Sequence, residues 1–278
     1  MSTQILREYL GRSVALWKRP LVDPKALNAL KYSTPLHPEH YLLFAEKDLR
    51  LGGPRGLVNS LANSKRAIDC QIFGLLHALA LPEPRNFPER LDKLKELGLL
   101  APRVVRKIAQ LRNVLEHRYY KPTVTEAEEA LDIASLFLGT LRPYFVGGSY
   151  METVWLADEA SVNPRGEIIR TRTHTTWSHA NEPRFTYARG ILISFESGAK
   201  SIELALVHDN VETACVHLWP SDKSYVELQG LLLRAALENI SYSITGARRF
   251  LKVLELATAH ADPNVEWRMD EAVAGFGA

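Results

Sequence analysis

The sequence predicts an α+β protein in which an N-terminal all-α helical bundle is followed by a C-terminal antiparallel β-meander domain with C-terminal helices. Three observations predict it. Apolar residues recur every three, four and seven positions through the first half. Short runs of β-branched and aromatic residues, separated by turn signals, take over after residue 150. Between the two regimes stands "RPYFVGGSY" (142–150), where Gly147, Gly148 and Ser149 break the pattern. The expected domains are therefore residues 1–146 and 147–278 of the 278-residue chain, each long enough to bury a core of its own.

Helical segments are expected around residues 4–17 and 38–50. "PRGLVNSLANSKRAIDCQIFGLLHALAL" (54–81) reads as one long helix opened by Pro54, with Leu57, Leu61, Ile68, Ile72, Leu75, Leu76 and Leu79 along its apolar face. "FPERLDKLKELGLL" (87–100) is a short helix with Leu91, Leu94 and Leu97 as its stripe and Gly98 as its stop. "PRVVRKIAQLRNVLEHRYY" (102–120) carries Val105, Ile108, Leu111 and Leu115 on one face and is closed by Pro122. The next helix, 123–144, is expected to open with the capping box Thr125-x-x-Glu128. Short connections favour antiparallel neighbours.

In the second half, "METVWLAD" and "GEIIRTRT" flank the turn signal "NPRG". "RFTYARGILISFES" and "SIELALVHD" flank "GAK", and "ETACVHLW" follows Asp209-Asn210, giving about five strands. "LQGLLLRAALENI" and "GARRFLKVLELATAH" return to helical spacing.

Composition excludes several classes of function. Charged residues make up 24% against 46% hydrophobic, and the formal net charge is only +2, so a general affinity for nucleic acid is not written into the whole chain. Two cysteines far apart, with no CxxC, point to free thiols in a reducing compartment. The N-terminus lacks the apolar core of a signal peptide, and no run approaches the length of a membrane span. The cytoplasm is the expected location, with no membrane partner.

Local charge is another matter. Between residues 102 and 121 stand Arg103, Arg106, Lys107, Arg112, Arg118 and Lys121 against Glu116 alone, a local charge of +5. That is a concentration suited to phosphate contacts.

The same stretch holds "LRNVLEHRYYKP", with Arg112, Asn113, His117 and Tyr119. Together with "SKRAID" in the long helix and the order of helices around it, this motif resembles the HEPN superfamily, over roughly residues 40–145. Its Arg112-x4-His117-x-Tyr119 pattern is similar to the RX4HXY motif of HepT-like toxins. The resemblance implies a metal-independent endoribonuclease working as a homodimer through the helical domain, a toxin or antiphage effector. Arg112 and His117 match its catalytic positions, and Asn113, Glu116 and Tyr119 stand as supporting or substrate-positioning residues. It further implies an antitoxin or nucleotidyltransferase partner, with Tyr119 as the residue modified by AMP.

The chemistry is consistent with that division of roles. RNA carries its own nucleophile, the 2′-hydroxyl. Histidine can move protons near neutral pH, and arginine can stabilise charge on the phosphoryl oxygens. On an ideal helix Arg112 and His117 stand ~140° apart, so a shared site is better assembled across a two-fold axis than within one chain. Arg112 could also pair with Glu116 at i+4 as a plain surface salt bridge, and His117 could simply end a helix.

Other signals lead less far. A second Arg–His match, Arg172-x6-His179, falls outside any helical pattern. "LGGPRG" (51–56) lacks the lysine of a phosphate loop and reads as a turn. His174, His179, His208, His217 and Cys215 have no metal-ligand spacing, so no metal and no cofactor is expected. The alternative reading is a non-catalytic HEPN dimerisation or RNA-binding module whose C-terminal domain senses a ligand or binds a partner.

Overall fold

The computed structural model describes residues 2–12, 14, 17, 20–99, 107, 110, 121–158, 189–196, 200–208, 211–237 and 244–259. The protein is α+β, and its chain divides into two compact units, residues 28–149 and residues 1–27 with 150–278.

The helical unit (28–149) contains α2 (Pro38–Leu51), α3 (Gly53–Ala78), α4 (Phe87–Glu96) and α5 (Val124–Val146). Gly52 and Gly53 both take positive φ, which lets α2 turn directly into α3. Pro54 stands in the first turn of α3, as expected. Every residue of the predicted apolar face, from Leu57 to Leu79, is buried.

α4 starts at Asn86, whose side chain accepts from the backbone N–H of Glu89 at 3.1 Å. It buries Leu91, Leu94 and Leu97 and stops at Gly98, which takes φ +73°. α5 does have a capping box, but two residues earlier than expected. Thr123 accepts from the N–H of Glu126, and the Glu126 carboxylate accepts from the N–H of Thr123. Thr125 and Glu128 are both exposed instead. Pro122 is buried immediately before the cap, so the chain enters α5 at a position set by packing as well as by hydrogen bonding. α3 packs against α2, α4 and α5.

A tyrosine pins the segment before α2 to this core. Tyr32 stacks on Phe145, with ring centroids 4.1 Å apart and 5° between planes. Its hydroxyl donates to Oε1 of Gln71 on α3 at 2.7 Å. Burial, aided by the charge of Glu39, pushes its phenol well above the ordinary range.

The second unit joins α1 (Ser2–Arg12) and β1 (Pro20–Asn28) to β2 (Tyr150–Asp158), β3 (Arg189–Glu196), β4 (Ser201–His208), β5 (Val211–Leu218), α6 (Lys223–Leu237) and α7 (Ile244–Ala259). The described strands form one sheet in the order β1-β2-β3-β4-β5, with β2 to β5 antiparallel in turn.

This corrects the expected boundary of 1–146 for the helical domain: the first 27 residues belong with the sheet. The reason is local. Leu6, Tyr9 and Leu10 are buried one helical turn apart, and the Tyr9 hydroxyl donates to the carbonyls of Gly190 and Val207. β1 takes the edge of the sheet, where its prolines, Pro20 and Pro24, are tolerated. The predicted strands 151–158, 184–197, 201–209 and 212–219 correspond to β2–β5, whereas "GEIIRTRT" lies outside the described residues.

Inside this unit, Tyr150 on β2 donates to Oε1 of Gln229 on α6 at 2.7 Å, and Nε2 of Gln229 donates to the Tyr225 hydroxyl at 3.2 Å. This buried polar chain in an otherwise apolar layer fixes how α6 lies on β2. No helix among the described residues is long and apolar enough to cross a membrane.

Candidate functional site

The segment with the Arg-x4-His motif leaves α4 at Leu99, whose N–H donates to the carbonyl of Leu94, and rejoins the described chain at Lys121 beside buried Pro122. Both ends are thus held by the helical unit. Of the predicted site residues, Lys107 and Lys121 are described, and both are exposed. Arg103, Arg106, Arg112, Asn113, Glu116, His117, Arg118 and Tyr119 lie outside the described residues.

Asp69 of "SKRAID" and Asn63 just before it tie α3 to its neighbours. Nδ2 of Asn63 donates to Asp48 of α2 at 2.8 Å, and Arg66 donates to Oδ1 of Asn63 at 3.0 Å. Asp69 pairs with Arg90 of α4 at 3.1 Å, and Arg90 also binds Glu83 at 2.6 Å. These pairs set the spacing of α2 and α4 on α3, the scaffold from which the motif segment departs. Cys70 is free, and burial raises its thiol above the ordinary value.

The sheet carries a second cluster of chemically capable side chains. In the register of β2–β5, Thr153 lies opposite Ser194, Ser194 opposite Glu203, and Glu203 opposite His217. This polar row crosses four strands on one face. The next row on that face runs Trp155, Leu192, Ala205 and Cys215. Its first three members are buried together with Ala157 and Val207.

Cys215 and His217, two apart on β5, therefore project from the same face as Glu203. All three are half-buried, with ligand atoms within 4.8 Å of one another. Cys215 Sγ stands 3.7 Å from Nε2 of His217. Trp219 flanks the imidazole, with ring centroids 6.2 Å apart.

Of the residues considered for a metal in the sequence, the structure brings Cys215 and His217 together. His174 and His179 fall outside the described residues. Glu203 was missed for a definite reason. Val207 pairs with Glu212 but Leu206 pairs with Ala214, so β5 carries one extra residue at a bulge. Were the ladder to run on from Val207–Glu212 without the bulge, Glu203 would face Val216 and share no face with His217. Thr213, the extra residue, donates its hydroxyl to the Leu206 carbonyl at 3.2 Å. No feature of "VETACVH" announces the bulge.

α6 and α7 also enclose a groove of about 520 Å³ lined by Leu231, Arg234, Arg249, Lys252 and Val253, a cationic surface within the same unit.

Comparison with known protein families, with curated proteins and with solved structures finds no match to this chain.

Proposed function

We propose that the protein is a metal-independent endoribonuclease of the HEPN type, a homodimeric toxin or defence effector of the cytoplasm. The observation that carries this reading is the setting of Arg112-x4-His117-x-Tyr119. In sequence the motif lies between a short helix stopped by Gly98 and a long helix opened by the Thr123 cap, both of which pack on the 26-residue α3. Six Lys or Arg residues between 102 and 121 supply the phosphate contacts. Exposed Leu43, Phe44 and Leu51 on α2 offer apolar surface that a second copy would cover.

In this mechanism His117 takes the proton of the RNA 2′-hydroxyl as its oxygen attacks the adjacent phosphorus. The P–O5′ bond breaks, and His117 of the partner subunit protonates the departing 5′-oxygen. Arg112 holds the extra negative charge on the phosphoryl oxygens. The products are a 2′,3′-cyclic phosphate and a 5′-hydroxyl, and no metal takes part. Asn113 and Glu116 position the substrate and Arg112. Tyr119 is the site at which a partner nucleotidyltransferase would silence the enzyme.

The test is cleavage of single-stranded RNA by the full chain in EDTA, comparing wild type with His117→Ala. Cleavage that vanishes in the variant, with cyclic-phosphate ends in the wild type, is the expected result. Equal cleavage by both proteins removes the assignment. RNA retention without cleavage by either would point to a dimerising RNA-binding module instead.

A further inference from the structure

We propose that Glu203, Cys215 and His217 form a binding site for a tetrahedral transition-metal ion of the zinc class on the face of β4 and β5 that carries the Thr153–Ser194–Glu203–His217 row. A thiolate, an imidazole and a carboxylate are the three protein ligand types that zinc uses, and the thiolate disfavours magnesium and calcium.

With zinc–sulfur and zinc–nitrogen bonds of ~2.3 and ~2.05 Å at a tetrahedral angle, the two ligand atoms should stand ~3.6 Å apart. Cys215 Sγ and His217 Nε2 stand 3.7 Å apart. The carboxylate of Glu203 lies within 4.8 Å of both, so a side-chain torsion closes the triangle without moving backbone.

The scaffold supports the assignment. Glu203 and His217 are direct cross-strand partners, and Cys215 follows the strand period on the same face. All three therefore sit on paired strands rather than on loops. The bulge in β5, which costs one ladder position, is what brings Cys215 and His217 onto the face of Glu203. A plain Glu–His pair would need the bulge but not the thiol. Half-burial leaves the fourth coordination position open to water or to a ligand atom from elsewhere, the arrangement of a zinc site that acts on or senses something. The site lies in a different unit from the Arg112–His117 motif, and its test does not involve RNA.

The metal-free full chain is titrated with Zn²⁺ by calorimetry and with Co²⁺ by absorption. One equivalent per chain is expected, with a sulfur-to-cobalt charge-transfer band and proton release on binding. Cys215→Ser and His217→Gln should each weaken binding by more than the ~10–100-fold typical of outer-shell changes, and Cys70→Ser should leave it unchanged. Far-UV circular dichroism checks that each variant folds.

A second measurement needs no variant. Zn²⁺ should slow alkylation of Cys215 in the wild type and leave the rate at Cys70 unaltered. Absence of a one-equivalent isotherm, retention of binding in folded Cys215→Ser or His217→Gln, or a Cys215 alkylation rate indifferent to zinc would each overturn the proposal.

Discussion

The ring of Tyr32 occupies the space that a side chain on residue 74 would need: a Cβ built on Gly74 would lie 2.6 Å from Cδ1 of Tyr32. Phe145 stacks on the same ring, and the hydroxyl is tied to Gln71, so Tyr32 cannot easily turn aside. Gly74→Ala should therefore destabilise the protein by about 1–3 kcal/mol. Tyr32→Phe should cost about 1 kcal/mol by leaving Oε1 of Gln71 without its donor. Urea denaturation of both variants is the measurement. A Gly74→Ala protein as stable as wild type would mean that the ring is not held there.

Gly190 makes the corresponding contact in the sheet, but against backbone. Its Cβ position lies 2.5 Å from the Leu156 carbonyl oxygen and 3.0 Å from the Trp155 ring. A carbonyl in a paired strand cannot move aside as a side-chain end can. Gly190→Ala should cost more than Gly74→Ala, about 3 kcal/mol or above. The two alanine variants, compared in one set of denaturation curves, check the ranking.

Alkaline pH should loosen the packing of α6 on β2. Burial raises the Tyr150 phenol well above its ordinary value and Tyr225 to about 12. Both favour the neutral hydroxyl in the folded state, so their contribution is complete below pH ~10, the value of an unfolded tyrosine, and falls as pH rises from there, for Tyr225 through about 12. The urea midpoint should fall over that window, tracked together with tyrosinate absorbance at alkaline pH. Gln229→Leu, which strips Tyr150 of its acceptor, should cost about 1–3 kcal/mol at neutral pH.

On the ribonuclease reading, His117→Ala should reduce the cleavage rate by about 10²–10⁴-fold and Arg112→Ala by about 10²–10³-fold. Arg103→Ala and Arg106→Ala should instead weaken RNA binding, each lowering the slope of log affinity against log salt by ~0.7. Single-turnover rates and binding titrations at several salt concentrations separate the two groups. Arg103 and Arg106 variants that lost rate with unchanged affinity would contradict their role as phosphate contacts.

Much of the architecture was legible in the residues. The apolar face of α3 from Leu57 to Leu79 was readable because 3.6-residue periodicity over many turns is unambiguous, and burial follows from it. Gly98 as a stop and Gly147-Gly148 before β2 were readable because local backbone freedom is a property of the residue itself. The α5 cap was legible in kind but not in register, since "TVTEAEE" offers two Thr-x-x-Glu pairs two residues apart. Buried Pro122 selects the earlier one.

The sequence by itself determined the α+β class, the course of α3 and α5 and the concentration of charge between residues 102 and 121, whereas the helix expected over 102–120 lies almost wholly outside the described residues. Tertiary structure alone decided that "PLVDPKALN" is a strand, because a proline-bearing edge strand exists only where a partner accepts it. It also decided that residues 1–27 join the sheet, through contacts such as Tyr9 to Gly190, 181 residues apart in sequence. And it decided that Glu203 faces His217, because one extra residue at Thr213 changes which side of a pleated strand every residue beyond it meets. Periodicity along one chain is local information; the pairing of two chain segments is not.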